Sequence, residues 1–258
     1  MENRLNIGKK WKVIACAALA MVFALSLSAC GSSDSGSGSG SAGSGSGSGS
    51  GSTSQTASEA FSNGGIWYVS YGTDGVPEKD TVIREVLVFE DGMVTPYPMN
   101  WGATDDDLTY GDLDGLSDDE IIDYVKNFHR SNFDYWIEKT KEDNSDDSTT
   151  LALLDSATYQ APEPVSYELR VKTDGTGNNT EEETIVYTHN LLDLVNENSV
   201  YDPSEEKLSF DASTGVSTVY DNLFAGFTGD YDLYTIVSSE EATFTLDSPD
   251  SNGVTVED

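Results

Sequence analysis

The chain has 258 residues, with 13 basic and 46 acidic residues and a formal net charge of −33. So acidic a chain is repelled by nucleic acid and by anionic membrane surfaces, which excludes nucleic acid as a partner. The length is sufficient for a domain with a sizeable hydrophobic core.

The N-terminal segment has the three parts of a secretory signal. Basic residues at positions 4, 9, 10 and 12 precede an apolar run, 13–27, and the small residues Ser28 and Ala29 follow it. The run is shorter than the ~20 residues needed to span a bilayer comfortably. We therefore predict that residues 1–29 are a signal peptide, cleaved between Ala29 and Cys30.

The motif Leu27-Ser28-Ala29-Cys30 resembles the signal of bacterial lipoproteins of the Gram-positive type. This resemblance implies that a diacylglyceryl group, with palmitate-like chains, is attached to the Cys30 sulfur. Two acyl chains give stable anchoring, so the membrane partner is reached through Cys30 and the predicted location is the extracytoplasmic face of the cell membrane. The alternative is an ordinary signal peptide with an unrelated cysteine.

Residues 30–58 are predicted to be the lipidated cysteine and a flexible tether. Gly and Ser make up almost all of 31–54, and such a segment behaves as a coil with a mean reach of ~30 Å. The mature chain would keep 9 basic and 45 acidic residues, a net charge of −36, and Cys30 as its one cysteine. Residues 59–258 are predicted to form a single acidic domain without disulfides.

Most of this domain has the pattern of β-strands. A strand is predicted at 66–71, and the Asp91-Gly92 turn predicts a hairpin between 81–89 and 93–97. Further hairpins are predicted between 165–172 and 183–187 and between 207–210 and 216–220. Strands at 233–237, 242–246 and 254–256 complete the set, and a short helix is possible at 190–196.

One long helix is predicted at about 118–141. Ser117 and Glu120 form a capping box, Leu116 and Ile121 a hydrophobic staple, and apolar residues recur at three- and four-residue steps. The predicted fold class is therefore α+β, with antiparallel β-hairpins packed around this amphipathic helix.

The acidic composition raises the possibility of a calcium site. With Gly115 at position 6 of a helix-loop-helix calcium loop, Asp112 and Asp114 fit, but Tyr110 and Ile121 occupy positions that need oxygen ligands. That motif is rejected, a generic Ca²⁺ site stays possible, and no other cofactor is expected. The acidic runs 143–147 and 181–183 are interpreted as solvated loops.

No catalytic set stands out in the sequence, and whether the protein is an enzyme stays open. His129 lies on the apolar face of the predicted helix, as a core histidine would, and His189 is expected at an exposed or capping position. Clustered aromatic residues flanked by Asp and Asn suit sugar or peptide binding, although the same rings can simply form the core. The candidate ligand-binding residues are Trp67, Trp101, Tyr231 and Tyr234.

Several segments resemble those of small surface lipoproteins of Gram-positive bacteria for which no activity is established. The segments are 66–68 (IWY), 88–95 (VFEDGMVT), 111–113 (GDL), 116–122 (LSDDEII) and 173–178 (TDGTGN), within 64–190. The predicted function is a membrane-anchored, non-enzymatic module that binds an extracellular protein, peptide or glycan. The alternatives are a surface glycoside hydrolase with a carboxylate pair and an envelope-maintenance lipoprotein.

Overall fold

The computed structural model describes residues 54–73, 75–99, 107–192 and 200–257, so the signal segment, Cys30, Trp101 and most of the tether lie outside the described residues. The strands are β1 Ser54–Thr56, β2 Gly65–Ser70, β3 Glu85–Glu90, β4 Met93–Pro98, β5 Tyr167–Thr173, β6 Thr180–Leu192, β7 Tyr201–Phe210, β8 Ala212–Ser213, β9 Ser217–Val219, β10 Asn222–Thr228, β11 Asp232–Val237, β12 Thr243–Thr245 and β13 Val254–Glu257. The helices are α1 Ala57–Ser62, α2 Asp118–Asp143 and α3 Ser148–Ser156, with a 3-10 turn at Tyr110–Leu113.

The predicted fold class, hairpins packed around helix 118–141, is wrong. The described residues form mostly β-structure, in sheets of seven, four and two strands. Helix α2 is present, but it covers one face of the seven-stranded sheet and does not form the centre of the domain. The largest apolar cluster instead lies between strands, so sheet-on-sheet packing organises the fold.

The seven-stranded sheet has the order β4-β3-β2-β11-β10-β8, with β9 also paired to β10. All of its pairings are antiparallel. Strand β2 is buried on both faces, because side chains alternate along a strand and both sides of this sheet are covered. Trp67 therefore contacts one cluster and Tyr68 the other.

The four-stranded sheet has the order β13-β5-β6-β7 and packs against one face of the larger sheet. Its inward residues Leu169, Ile185 and Leu208 meet Trp67 and Phe227 from the larger sheet. The Trp67 and Phe227 rings stack with centroids 5.9 Å apart. This interface is the main hydrophobic core of the sandwich.

Helix α2 covers the opposite face of the larger sheet with its N-terminal half. Ile121 and Val125 contact the same cluster as Tyr68 and Phe224. In its C-terminal half, Phe133 and Ile137 pack into a third, smaller apolar cluster. This cluster also includes residues of α3 and of the adjoining ends of β6 and β7, namely Leu154, Val200, Tyr201 and Leu192. The middle of α2 is thereby placed beside the end of the sandwich.

The described fold begins before the boundary predicted at residue 58. Strand β1 pairs in parallel with β12, and Thr56 caps α1 in a capping box with Glu59. Ala57 and Phe61 from α1 are buried in the sandwich core. Residues 54–58, assigned above to the tether, thus belong to these elements.

The turn signals predicted local pairing but not distant pairing. The β3–β4 hairpin is confirmed, and Asp91 and Gly92 both have the positive φ of a tight hairpin turn. The predicted hairpin between 207–210 and 216–220 is wrong, because β7 pairs with β6 and β9 pairs with β10. Residues 190–192 extend strand β6, and the rest of the possible helix at 190–196 lies outside the described residues.

Candidate functional site

The sequence-predicted aromatic residues lie at different depths. Trp67 is 1% exposed, and its ring contacts Phe61 and Phe244 in the core. Tyr234 is fully buried on the other face of the sheet, whereas Tyr231 is only partly buried. Tyr231 packs against Tyr71 and the Tyr234 hydroxyl is bonded to Thr73, so both support the wall of one surface groove from behind; none of the three residues lines that groove.

This groove, called here the tyrosine groove, lies where β2 ends and β3 begins. It has a volume of about 430 Å³, within the range of small-molecule sites. Its walls are Tyr71, Gly72, Thr73, Val76, Glu78, Thr81, Val82 and Arg84.

Tyr71 and Arg84 give the groove its surface chemistry. The Tyr71 side chain is 51% exposed, and its ring packs against Tyr231 with centroids 5.0 Å apart. The Arg84 guanidinium lies 5.9 Å from the Tyr71 ring centroid and forms no ion pair within the described part of the chain. Burial and contact with Tyr231 raise the pKa of Tyr71 to about 12, so this ring is uncharged at neutral pH.

Hydrogen bonds beneath the groove hold Thr73 in its wall. The carboxylate of Asp232 accepts hydrogen bonds from the Thr73 amide at 2.9 Å and the Thr73 hydroxyl at 2.8 Å. The Tyr234 hydroxyl lies 2.5 Å from the Thr73 hydroxyl, and Thr228 donates to the other oxygen of Asp232. These part-buried bonds hold Thr73, two residues after Tyr71 in the groove wall.

Behind the groove, Glu85 is buried between the two sheets. The Tyr187 hydroxyl donates to its Oε2 at 2.8 Å, while Oε1 has no donor among the described residues. Burial raises the pKa of Glu85 to about 8, the hydrogen bond from Tyr187 partly offsets this, and the charge of Glu206 adds to it. Burial also raises the pKa of Glu206. Glu85 is therefore largely protonated at neutral pH.

A second cleft, called here the histidine cleft, contains both histidines of the chain. It has a volume of about 470 Å³. His129 comes from the middle of α2, and His189 comes from the end of β6. The other lining residues are Pro96, Pro98, Gln160, Ala161, Pro162, Glu163, Val165, Thr188, Asn190, Leu192 and Tyr201.

Both imidazoles are buried and uncharged at neutral pH. His129 Nδ1 lies 3.0 Å from the Tyr159 hydroxyl, and burial, followed by the charge of His189, lowers its pKa to about 4. Burial likewise lowers the pKa of His189, whose ring packs against Tyr187. His129 is thus a core histidine, and the exposed or capping position predicted for His189 is wrong, because His189 is buried within β6. The sequence could not show that the two histidines line the same cleft, since they lie on separate elements.

A buried carboxyl pair lies at another point of the sandwich. Glu183 was interpreted as part of a solvated loop, but it is 0% exposed within β6. Its Oε2 accepts the Asp247 amide at 3.0 Å, and the two carboxyl groups can hydrogen-bond to each other only if one carries a proton. Burial raises the pKa of Glu183 to about 8. Asp247 accepts both the amide and the hydroxyl of Ser58, at 2.7 Å each.

A cation site would need a cluster of His, Cys, Asp or Glu side chains. No group of three or more such residues suited to a metal ion occurs among the described residues. In the acidic stretch tested for calcium, Asp112 accepts the amide and hydroxyl of Thr109, and Glu120 accepts those of Ser117. These carboxylates cap helical turns. Within the described ranges, no helix is both long and apolar enough to cross a bilayer.

Comparison with protein families, with curated proteins and with solved structures finds no match to this chain.

Proposed function

We propose that the protein is a lipid-anchored, extracytoplasmic binding module whose ligand site is the tyrosine groove. The lipoprotein-like motif at Cys30 and the Gly/Ser segment behind it support the anchor and the tether. A flexible tether lets a domain meet ligands near the membrane in many orientations.

The proposed binding role rests on the exposure of Tyr71 in a groove with hydrogen-bonded walls. A half-exposed aromatic ring beside a guanidinium that has no ion pair among the described residues offers a ligand both an apolar face and hydrogen-bond donors. Thr73, fixed by Asp232, keeps the groove formed without a ligand, which lowers the entropy cost of binding.

The glycoside hydrolase alternative has two carboxyl pairs in its favour, and the first, Glu183 with Asp247, is buried within the sandwich. In the second pair, Glu85 and Glu206 interact electrostatically, and both have raised pKa values, as a catalytic acid does. However, Glu85 lines neither cleft, and its Oε1 is shielded from solvent. A substrate could not reach this acid without separating the two sheets, so the non-enzymatic role is the better supported one.

The anchor is tested by replacing cysteines in the whole chain and separating membrane from soluble fractions. Cys30→Ser should release the protein from the membrane and abolish incorporation of labelled palmitate. Cys16→Ser is the matched control, since that cysteine lies in the predicted signal peptide and should leave both unchanged. Palmitate incorporation into Cys30→Ser would contradict the proposed anchor.

The binding role is tested by the thermal unfolding midpoint in the presence of neutral oligosaccharides, neutral peptides and CaCl₂. A ligand that binds only the folded state raises this midpoint. A rise that is lost in Tyr71→Ala supports a binding module. An unchanged midpoint with every probe would instead favour the envelope-maintenance role.

A further inference from the structure

We infer that the tyrosine groove recognises an uncharged glycan, with one sugar ring seated against Tyr71 and Val76 and its hydroxyl groups bonded to Arg84 and Glu78. This inference rests on the proposed function and adds the chemical class of its ligand. Four features of the groove support the inference: its charge, its polar groups, its apolar surface and the hydrogen bonds that hold its walls.

Charge disfavours one class of competing ligand, the polyanions. A mature chain with a net charge of −36 repels polyanions, so an acidic polymer would approach against the field of the whole domain. Among the described lining residues of the groove, Arg84 contributes a positive charge and Glu78 a negative one. A ligand without net charge is therefore not repelled by the domain, and its polar groups can complement both Arg84 and Glu78.

The polar groups of the groove match vicinal hydroxyl groups. A guanidinium offers several parallel N–H donors, a carboxylate offers acceptors, and a threonine hydroxyl can do either. Arg84, Glu78 and Thr81 place all three kinds around a single groove, whereas the Thr73 hydroxyl is already used in its bonds to Asp232 and Tyr234. A sugar ring presents adjacent hydroxyl groups that both donate and accept, and it can therefore satisfy this mixed set.

The apolar surface of the groove suits the C–H face of a sugar. Tyr71 and Val76 are 51% and 54% exposed, among the most exposed large hydrophobic side chains described. The Arg84 guanidinium near one part of the Tyr71 ring leaves the remaining exposed ring surface for apolar contact. Aromatic and aliphatic C–H contacts of this kind add affinity without demanding charge.

Hydrogen bonds hold the walls of the groove without a ligand. Asp232 and Tyr234 hold Thr73, the Glu78 amide donates to the Thr81 hydroxyl, and the Arg84 amide donates to the Val69 carbonyl at 2.7 Å. Weak individual contacts to a sugar are useful only if the site does not have to be ordered first.

The test is isothermal titration of the full-length chain in detergent with five probes: cellotetraose, maltotetraose, chitotetraose, tetragalacturonate and tetra-alanine. We expect at least one of the neutral oligosaccharides to bind. Tyr71→Ala should weaken that binding about tenfold or more, equivalent to ~1.4 kcal/mol. Val76→Ser replaces a second exposed side chain of the groove, and it should weaken binding several-fold.

Tyr135→Ala is the matched control, because Tyr135 is 38% exposed on α2 and lines neither cleft. Its affinity should equal that of the wild type. The inference is overturned if no neutral oligosaccharide binds, if tetragalacturonate or tetra-alanine binds more tightly, or if Tyr71→Ala and Val76→Ser bind as the wild type does. Failure of the anchor would appear separately, in the fractionation of Cys30→Ser.

Discussion

Replacing Glu183 by glutamine tests whether a protonated carboxyl is built into the sandwich. Glu183 is fully buried beside Asp247, and its pKa is raised to about 8 from an ordinary value of 4.5, chiefly by burial. Among the described groups that act on its pKa, Asp247 is the one other titratable residue, and no lysine or arginine is among them. The proton is therefore what makes this pair compatible with burial.

The sign of the pH effect follows from proton binding. Between about pH 4.5 and pH 8 the unfolded chain loses this proton while the folded chain keeps it, so the free energy of unfolding falls as pH rises. The slope from one such group is about 1.4 kcal/mol per pH unit, and across the whole window the loss is at most about 5 kcal/mol. Below pH 4.5 both states are protonated, and this contribution to stability is fully present.

Glu183→Gln should remove that slope. The glutamine amide can still accept from the Asp247 amide and can donate to the Asp247 carboxylate, so the fold keeps its contacts without needing a proton. Urea denaturation between pH 4.5 and pH 8 should give a flatter curve for this variant, and a more stable protein than the wild type at pH 8. Glu181→Gln, on the same strand but exposed, is the control. Parallel curves for wild type and Glu183→Gln would refute the reasoning.

Three further predictions concern other parts of the fold. A chain that begins at Glu59 loses β1, the Thr56 cap and the Ser58 donors to Asp247, and thermal unfolding should show it to be ~2–4 kcal/mol less stable than one that begins at Gly51. The pKa of His129 is lowered to about 4, so its contribution to the free energy of unfolding is present above pH 6.5, and about 3 kcal/mol is lost as pH falls to 4. NMR titration should show this imidazole neutral at pH 6. A titration midpoint near 6.5 would contradict its burial. Gly226→Ala would place a Cβ 1.9 Å from the Leu233 carbonyl oxygen and should cost more than ~3 kcal/mol in urea denaturation, whereas Gly215→Ala meets open space and should cost less than about 1 kcal/mol.

Local chemistry in the sequence predicted local structure well. The capping box at Ser117 and Glu120 marks the start of α2 because its hydrogen bonds join residues three apart. The Asp91-Gly92 turn specifies the β3–β4 hairpin for the same reason, since two residues with positive φ set the register of both strands. Neither feature depends on the rest of the chain.

Long-range pairing could not be predicted in this way. Strand β7 pairs with β6 through a ten-residue register, although the sequence offered a shorter turn towards 216–220. The choice depends on which pairing buries Leu208 and Phe210 against the larger sheet, a property of the assembled sandwich. The fold class was mispredicted for a related reason, because the pattern of α2 says that one face is apolar but not what that face covers.

Predicting which residues of the candidate site are exposed likewise required knowledge of long-range packing. Trp67 and Tyr71 belong to one aromatic run, yet the first is in the core and the second is exposed, since the run continues past the end of the sheet. Glu183 follows two acidic residues and looked solvated, but its strand is covered at that position. Side-chain alternation gives the two faces of a strand, while burial of a face depends on neighbouring elements.

Mapping the bound ligand tests the central claim most directly. Backbone and imidazole NMR signals of the protein would be followed while the neutral tetrasaccharide with the highest affinity is added. The account predicts changes at 71–84 and at Tyr231, with the His129 and His189 signals unmoved. Changes centred on the two histidines, with 71–84 unaffected, would place the ligand in the histidine cleft and contradict the account.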